Sequence, residues 1–375
     1  ADFDHDGTPE LYCQNRIFDN MGNLIKQGLP TQAIGSARYG WGQIASYTVA
    51  ADVTGDDRLE LVAGNMVYDV DLSDPNPSLP VIKTVNDQRW SLDGYTSVAD
   101  VNKDGNLDAV VTCVQNNNLA ALYIWDLTNE TLLGTYDFAV DANPVQQTSF
   151  ISQATIGNFL NNDDALEIAV TTTQRIQVLD YNPLTSTISQ QWVLNNTDGS
   201  GRTGSTSYDF NGDGQTELVY RDQNNLLVYD GQQGNTPLAS IPCASNTGHE
   251  YPVIVDADMD GFTDIVCGCG QGNNGTLQVF DSNNTPWTPT RTVWNQHNYF
   301  STNVEDDLTI PTYQQRHDLI GNTDPTSRYY NSGNFFLSQI PQLDGRAPDG
   351  DLTLFTDCDI SSDSITVNLT ITNQG

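Results

Sequence analysis

Positive charge is scarce in this chain. Its 375 residues include 14 lysines and arginines against 48 aspartates and glutamates, a net charge of -34. Binding to nucleic acid or anionic lipid depends on Lys and Arg neutralising phosphates, so this balance argues against both. Long apolar runs are missing too. No stretch approaches the ~18 residues that cross a bilayer as a helix, so direct membrane insertion is not expected. Helical periodicity of useful length is also absent.

Cysteine is sparse, with six residues, too few for a disulfide scaffold and with no zinc-site spacing. Cys13 and Cys113 read as buried small hydrophobes. Cys267 and Cys269 lie two apart in a strand-like run, share a face and make a poor pair. One disulfide among Cys243, Cys267 and Cys269 is left open. The four histidines, His5, His249, His297 and His317, belong to no H-E-x-x-H pattern, and no G-x-S-x-G occurs. His5 falls at a variable position of an acidic loop and is expected to face solvent.

An acidic chain can be disordered, but 37% of the residues here are hydrophobic, with 16 Tyr, 12 Phe and 6 Trp. That is enough to build a core, and the apolar residues come in short alternating runs. These runs repeat. ADFDHDGTPEL at residue 1 is echoed by ADVTGDDRLELV at 51, ADVNKDGNLDAVV at 99, YDFNGDGQTELVY at 208 and VDADMDGFTDIVC at 255. A degraded copy, IGNFLNNDDALEIAV, begins at 156 with one extra loop residue. The leading positions 2, 52, 100, 158, 209 and 256 are spaced by 50, 48, 58, 51 and 47.

Each unit has the same grammar. A short apolar run precedes the loop (QIASYTVA, EYPVIV) and a β-branched run follows it (LELVAG, LDAVVTCV, TELVYR). A third run ends in an aspartate (NMVYDVD, LYIWDL, IQVLDY, LLVYDG, LQVFDS), and a weaker fourth closes the unit. Turn residues separate them. Four short strands per unit of about fifty residues predict the blade of a β-propeller, because radial packing covers both faces of each sheet. A β-sandwich is the competing all-β arrangement, and it leaves the period unexplained.

The loops follow D-x-[D/N/T]-x-D-G-x-x-[D/E]. Oxygen-bearing side chains at alternate positions of a tight turn converge on one centre, as Ca²⁺ requires with its six to eight oxygens at about 2.3–2.6 Å. Mg²⁺ is disfavoured because it demands a strict octahedron. The first loop offers Asp2, Asp4, Asp6, the carbonyl of Thr8, and Glu10. The second offers Asp52, Thr54, Asp56, the carbonyl of Arg58, and Glu60, and should be weaker because Thr54 is neutral and Asp57 replaces the glycine. The third offers Asp100, Asn102, Asp104, the carbonyl of Asn106, and Asp108. The fourth would use Asn158, Asn161, Asp163 and Glu167, in a broken register. The fifth offers Asp209, Asn211, Asp213, the carbonyl of Gln215, and Glu217. The sixth offers Asp256, Asp258, Asp260, the carbonyl of Phe262, and Asp264. Asp, Asn and Gly also form turns without metal. Five regular copies with crowded carboxylates are poorly explained that way, since like charges repel. Five calcium sites are expected and a sixth is doubtful.

The motifs at 52–62, 100–110, 209–219 and 256–266 resemble the FG-GAP/VCBS repeat, the calcium-bearing blade unit of integrin α-subunit propellers and of many bacterial secreted proteins. The resemblance covers residues 1–293 and implies a propeller of seven blades, with six or eight as alternatives. Residues 294–340 change character, becoming aromatic and amide-rich, and resemble a segment following such repeats in large bacterial surface proteins. This segment should pack on the propeller. A linker at 341–350 leads to 351–375, which look like the first strands of an Ig-like sandwich similar to CARDB domains. The chain thus reads as beginning inside a blade and stopping inside a domain of a longer protein.

The function this implies is a non-catalytic, calcium-stabilised module of a large extracellular surface protein, serving adhesion, ligand binding or spacing. Its partners would be other domains of the same chain and a glycan or protein ligand. Two alternatives are a carbohydrate-active enzyme, a polysaccharide lyase or hydrolase, and a structural building block of a surface filament.

Overall fold

The computed structural model describes residues 1–30, 32–37, 45–115, 117–138, 150–160, 166–234, 236–271, 275–282, 286–320 and 333–342, and the backbone of 352–360 and 365–373. Six antiparallel sheets follow one another along the chain. Sheet one comprises Leu11–Cys13, Arg16–Phe18 and Leu24–Gln27, and sheet two Val49–Ala51, Glu60–Ala63, Met66–Tyr68 and Val81–Thr84. Sheet three comprises Tyr95–Ala99, Asp108–Val114, Ala120–Asp126 and Thr131–Asp137, and sheet four Thr155–Gly157, Glu167–Thr172, Arg175–Asn182 and Thr187–Asn195. Sheet five comprises Ser205–Tyr208, Glu217–Arg221, Asn225–Tyr229 and Pro237–Pro242, and sheet six Val253–Val255, Asp264–Cys269 and Thr276–Phe280. Strand order within each sheet is chain order. The innermost strands of sheets two to six are successive neighbours, which is the radial layout of a propeller. Among the described residues, the first and sixth sheets have three strands where the repeat predicts four. A separate hairpin pairs Leu352–Ile360 with Ile365–Asn373.

Burial explains which residues build which strand. Asp108–Val114 and Ala120–Asp126 are buried at every position, because both faces of a central blade meet a neighbour. Alternation survives on outer strands such as Pro237–Pro242, where one face meets water. The aspartate that ends the third strand of the unit makes an Asx turn in sheets one, three and five. Asp126 Oδ1 accepts the N–H groups of Thr128 and Asn129, and Asp19 Oδ1 accepts those of Met21 and Asn23. A bulge precedes this aspartate in sheets one to five, between Trp125 and its neighbour Ile124 in sheet three.

Hydroxyls fasten neighbouring sheets. Ser97 Oγ donates to the Ala154 carbonyl (2.7 Å), Thr155 Oγ1 to Ser205 (2.7 Å) and Thr206 Oγ1 to Pro252 (3.0 Å). Each satisfies a buried carbonyl that its own ladder leaves unused. A disulfide, Cys243–Cys269, ties sheet five to sheet six and resolves the pairing left open above. Cys267 remains a buried thiol and Cys113 is buried, but Cys13 is exposed, contrary to expectation. It lies on the first strand of sheet one, whose inner edge has no strand partner among the described residues.

The aromatic segment is organised by Arg291, whose side chain is fully buried. Its guanidinium donates to Asp306 (2.6 Å) and to the carbonyls of Ser301 and Val304 (both 2.7 Å). Residues 333–340 then cross the inner strands of four sheets. Asn334 exchanges two hydrogen bonds with Asp100, and Phe336 forms a two-bond rung with Ile156 (both 3.0 Å). The Ser207 N–H donates to the Leu337 carbonyl (3.1 Å), and Gln339 Nε2 donates to the Ile254 carbonyl (3.3 Å). A segment that touches four inner strands lies on the propeller axis. Residues 334–340 are buried throughout along these inner strands.

Candidate metal centres

Five of the six loops share one backbone frame, and the frame explains how the acidic residues are aimed. In loops one, two, three, five and six, the leading aspartate accepts the N–H groups of the fifth and sixth positions. Asp2 takes those of Asp6 and Gly7, and Asp256 those of Asp260 and Gly261. Asp52, Asp100 and Asp209 repeat the pattern. The closing carboxylate uses one oxygen to hold the N–H of the second position. Glu10 holds Phe3 (2.9 Å), Glu60 Val53 (2.9 Å), Asp108 Val101 (3.0 Å), Glu217 Phe210 (2.9 Å) and Asp264 Ala257 (2.9 Å). Leading and closing acids are buried, while Asp4, Asp6, Asp104, Asp213, Asp258 and Asp260 lie towards solvent.

Sequence reasoning placed the bend at the glycine of the sixth position. Gly7, Gly105, Gly214 and Gly261 do have positive φ, between 81° and 92°, and Asp57 adopts 66° in the second loop. The fourth position is left-handed too, which the motif had marked as variable. His5 (59°), Gly55 (77°), Lys103 (54°), Gly212 (75°) and Met259 (65°) all adopt it. Two left-handed residues per loop turn the alternate side chains inward. The signal was present as glycine in loops two and five. His5 is also not free: its ring packs on Tyr313, with centroids 4.4 Å apart.

The geometry separates the loops. Asp2, Asp4 and Asp6 offer oxygens within 4.8 Å of one another, as do Asp256, Asp258 and Asp260. In the second loop Asp56 is engaged by Arg58 at 2.8 Å, and Thr54 Oγ1 donates to Glu60 (3.2 Å). Asn211 Nδ2 makes the equivalent bond to Glu217 (3.0 Å) in the fifth. In the third, Asn102 and Asn106 both donate to Asp104. Arg316 reaches it from the aromatic segment, donating to the Gly105 carbonyl (2.8 Å) while paired with Asp318. The fourth loop differs: Asn158 Nδ2 donates to the Gly214 carbonyl of the fifth (2.8 Å), and Glu167 holds Phe159 and Leu160. Asn161 and Asp163 lie outside the described residues. The carbonyls of Thr8, Arg58, Asn106, Gln215 and Phe262 stand at the seventh positions, whose N–H groups donate to the fifth-position aspartates.

Burial pushes these acids towards their neutral forms. Desolvation, reinforced by neighbouring aspartates, raises Glu60 to about 7 and Glu217 to about 8, and Asp100 to about 6. Asp108 is driven well above the usual carboxylate range, and its Oδ1, fully buried, has no hydrogen-bond partner. A buried acceptor with nothing to accept from is what a cation would satisfy, and the all-oxygen donor set fits a hard one such as Ca²⁺.

A pH dependence follows. Without calcium, Glu60 and Glu217 hold protons in the fold that the unfolded chain releases near pH 4.5. The folded state therefore binds more protons between about pH 4.5 and 8, and stability falls as pH rises through that window. Urea midpoints in calcium-free buffer should be higher at pH 5 than at pH 8, with a shallower slope for Glu217→Gln. An identical slope in that variant would remove Glu217 as a source.

A model of the FG-GAP-like repeat matches residues 209–267, which span the fifth and sixth loops. No curated protein matches the chain. Among solved structures, the biofilm matrix protein Bap1 of V. cholerae aligns with a TM-score of 0.57 at 15% identity, over 92% of this chain and 84% of that one. The C-terminal domain of Pseudomonas aeruginosa PilY1 aligns at 0.42 and 14%, over 98% and 92%. The rhamnogalacturonan lyase YesW aligns at 0.42 and 14%, over 73% and 52%. At 15% identity the likeness to Bap1 is one of fold. No described helix is long and apolar enough to cross a membrane.

Proposed function

We propose that this chain is a calcium-stabilised propeller module of a large extracellular surface protein, which acts by adhesion, ligand binding or spacing and not by catalysis. The observation that carries the calcium part is the shared loop frame with its buried closing acids, above all Asp108 with an unsatisfied oxygen. Calcium would be held by the five loops led by Asp2, Asp52, Asp100, Asp209 and Asp256. Its task there is to neutralise the crowded carboxylates and lock each hairpin to its neighbour. The sixth candidate, at Asn158, would be the weakest.

The module reading is supported by the likeness in fold to a biofilm matrix protein over most of both chains. With residues 333–340 lying along the axis, a ligand would meet the outside of the ring. The described clefts are shallow ones: one of about 620 Å³ lies along Val81–Asp87 beside Glu130. Asp87 in it already holds the N–H groups of Arg89 and Trp90. Residues 351–375 would belong to an Ig-like domain.

The test is to incubate the calcium-loaded chain with a panel of acidic and neutral polysaccharides and to measure both retention on a glycan array and release of new reducing ends. Retention or no interaction without product is expected. Steady release of sugar ends would replace this reading with that of a polysaccharide lyase or hydrolase.

A further inference from the structure

Three cysteines distant in sequence meet where sheet five joins sheet six. Cys243 follows the last strand of sheet five, and Cys267 and Cys269 lie two apart on one face of Asp264–Cys269. Their sulfurs all lie within 4.8 Å of one another, and all three residues are buried. Cys243 is bonded to Cys269, and the Cys267 sulfur stands 3.9 Å from that of Cys243. The backbone holds this arrangement. The Cys243 N–H donates to the Asn224 carbonyl (2.9 Å), and the Gly270 N–H donates to the Ala244 carbonyl (2.6 Å). A thiol in contact with a disulfide brings together the two reactants of thiol–disulfide exchange.

The surroundings set the reactivity. The three cysteines share an apolar cluster with Val228, Ile254 and Ile265. Burial raises the Cys267 thiol to about 11, and the Arg221 guanidinium opposes that rise. Arg221 is itself buried and paired with Glu250 (2.6 Å), and its Nε has no hydrogen-bond partner. It is the cation that favours thiolate in an otherwise apolar site. A thiol of high pKa is scarce as thiolate but strongly nucleophilic, and contact with its target replaces a bimolecular encounter.

We propose that Cys243, Cys267 and Cys269 form an exchange triad, in which the bridge moves between Cys243–Cys269 and Cys243–Cys267. The Cys267 thiolate attacks Cys243 Sγ. A Cys243–Cys267 bond forms, the Cys243–Cys269 bond breaks, and Cys269 leaves as a thiolate that takes up the proton Cys267 released. No oxidant or reductant is consumed. The two bridges span sequence separations of 24 and 26, so loop-closure entropy favours neither. Both also tie sheet five to sheet six. When an external thiol attacks Cys243 and displaces Cys269, Cys267 can expel it and restore the tie.

The test uses the 375-residue chain carrying Cys13→Ser, which removes the exposed thiol. After native incubation at pH 9, the chain is quenched in acid and denatured, and N-ethylmaleimide marks the free thiols. Fragment-ion mass spectrometry then assigns the label to Cys267 or Cys269. Both should carry it, with Cys269 labelled in at least about one chain in twenty, whatever the protein concentration. Label confined to Cys267 would overturn the proposal. A second arm compares Cys269→Ser with Cys267→Ser in the same background, each treated with oxidised glutathione. Cys269→Ser should close a Cys243–Cys267 bridge as readily as Cys267→Ser closes Cys243–Cys269. A folded Cys269→Ser chain that keeps glutathione on Cys243 would also overturn the proposal, since Cys267 would then be a packing residue out of reach.

Discussion

Stripping calcium with a chelator should lower the melting temperature by up to about 14 °C. Each site filled at ten times its dissociation constant adds about 1.4 kcal/mol, so five add about 7 kcal/mol. For a domain of this size, each kcal/mol is worth roughly 2 °C. The figure is an upper one in free energy, because an acidic unfolded chain also binds some calcium. Two features make the effect large. The loops join the innermost and second strands of their sheets, so releasing one frees both. The acids at stake are also buried: Asp2, Glu60, Asp100, Asp108, Asp209 and Asp264 are all shielded from water. With the cation gone they must either repel one another or take up protons. Scanning calorimetry in calcium and in chelator at pH 7.5 measures the difference, and coincident melts would refute a structural role for the metal. Magnesium should restore little of the loss.

Replacing Phe336 by alanine should cost about 3–5 kcal/mol, through lost burial and the cavity left behind. Phe336 is fully buried on the axis, bonded through its backbone to Ile156 and stacked near Phe300 at 5.9 Å between ring centroids. Its neighbours come from inner strands that cannot collapse inward without breaking their own ladders, so the cavity should relax little. Denaturant titration of Phe336→Ala and Phe336→Leu in calcium separates the effects: the leucine variant, which keeps most of the volume, should lose far less. A loss below about 1 kcal/mol for alanine would show that residues 333–340 do not brace the axis.

The repeat made much of this molecule readable in advance. Sheet-forming runs, the loops between first and second strands and the aspartates that end the third strands all lie within one fifty-residue unit, and local chemistry dictates them. Asp126 and its Asx turn depend only on neighbours along the chain. The carboxylates at alternate loop positions were likewise visible as a pattern. The left-handed residues at the fourth position, His5, Lys103 and Met259, were not, because a non-glycine residue carries no mark of positive φ. Cys13 was misread as buried because its strand pattern matches those of the other units. What differs, among the described residues, is that its strand is paired on one edge only, and no local sequence records that.

The sequence by itself thus determined the repeating unit, its four-strand grammar and the acidic loops, since each arises from residues within a few positions of one another. Only the tertiary structure decided the Cys243–Cys269 pairing, the approach of Arg316 to the third loop and the course of residues 333–340 along the axis. These join parts of the chain up to 234 residues apart, as in the Asp100–Asn334 pair. Contacts at that separation follow from how the sheets pack around a common axis, which periodicity cannot express.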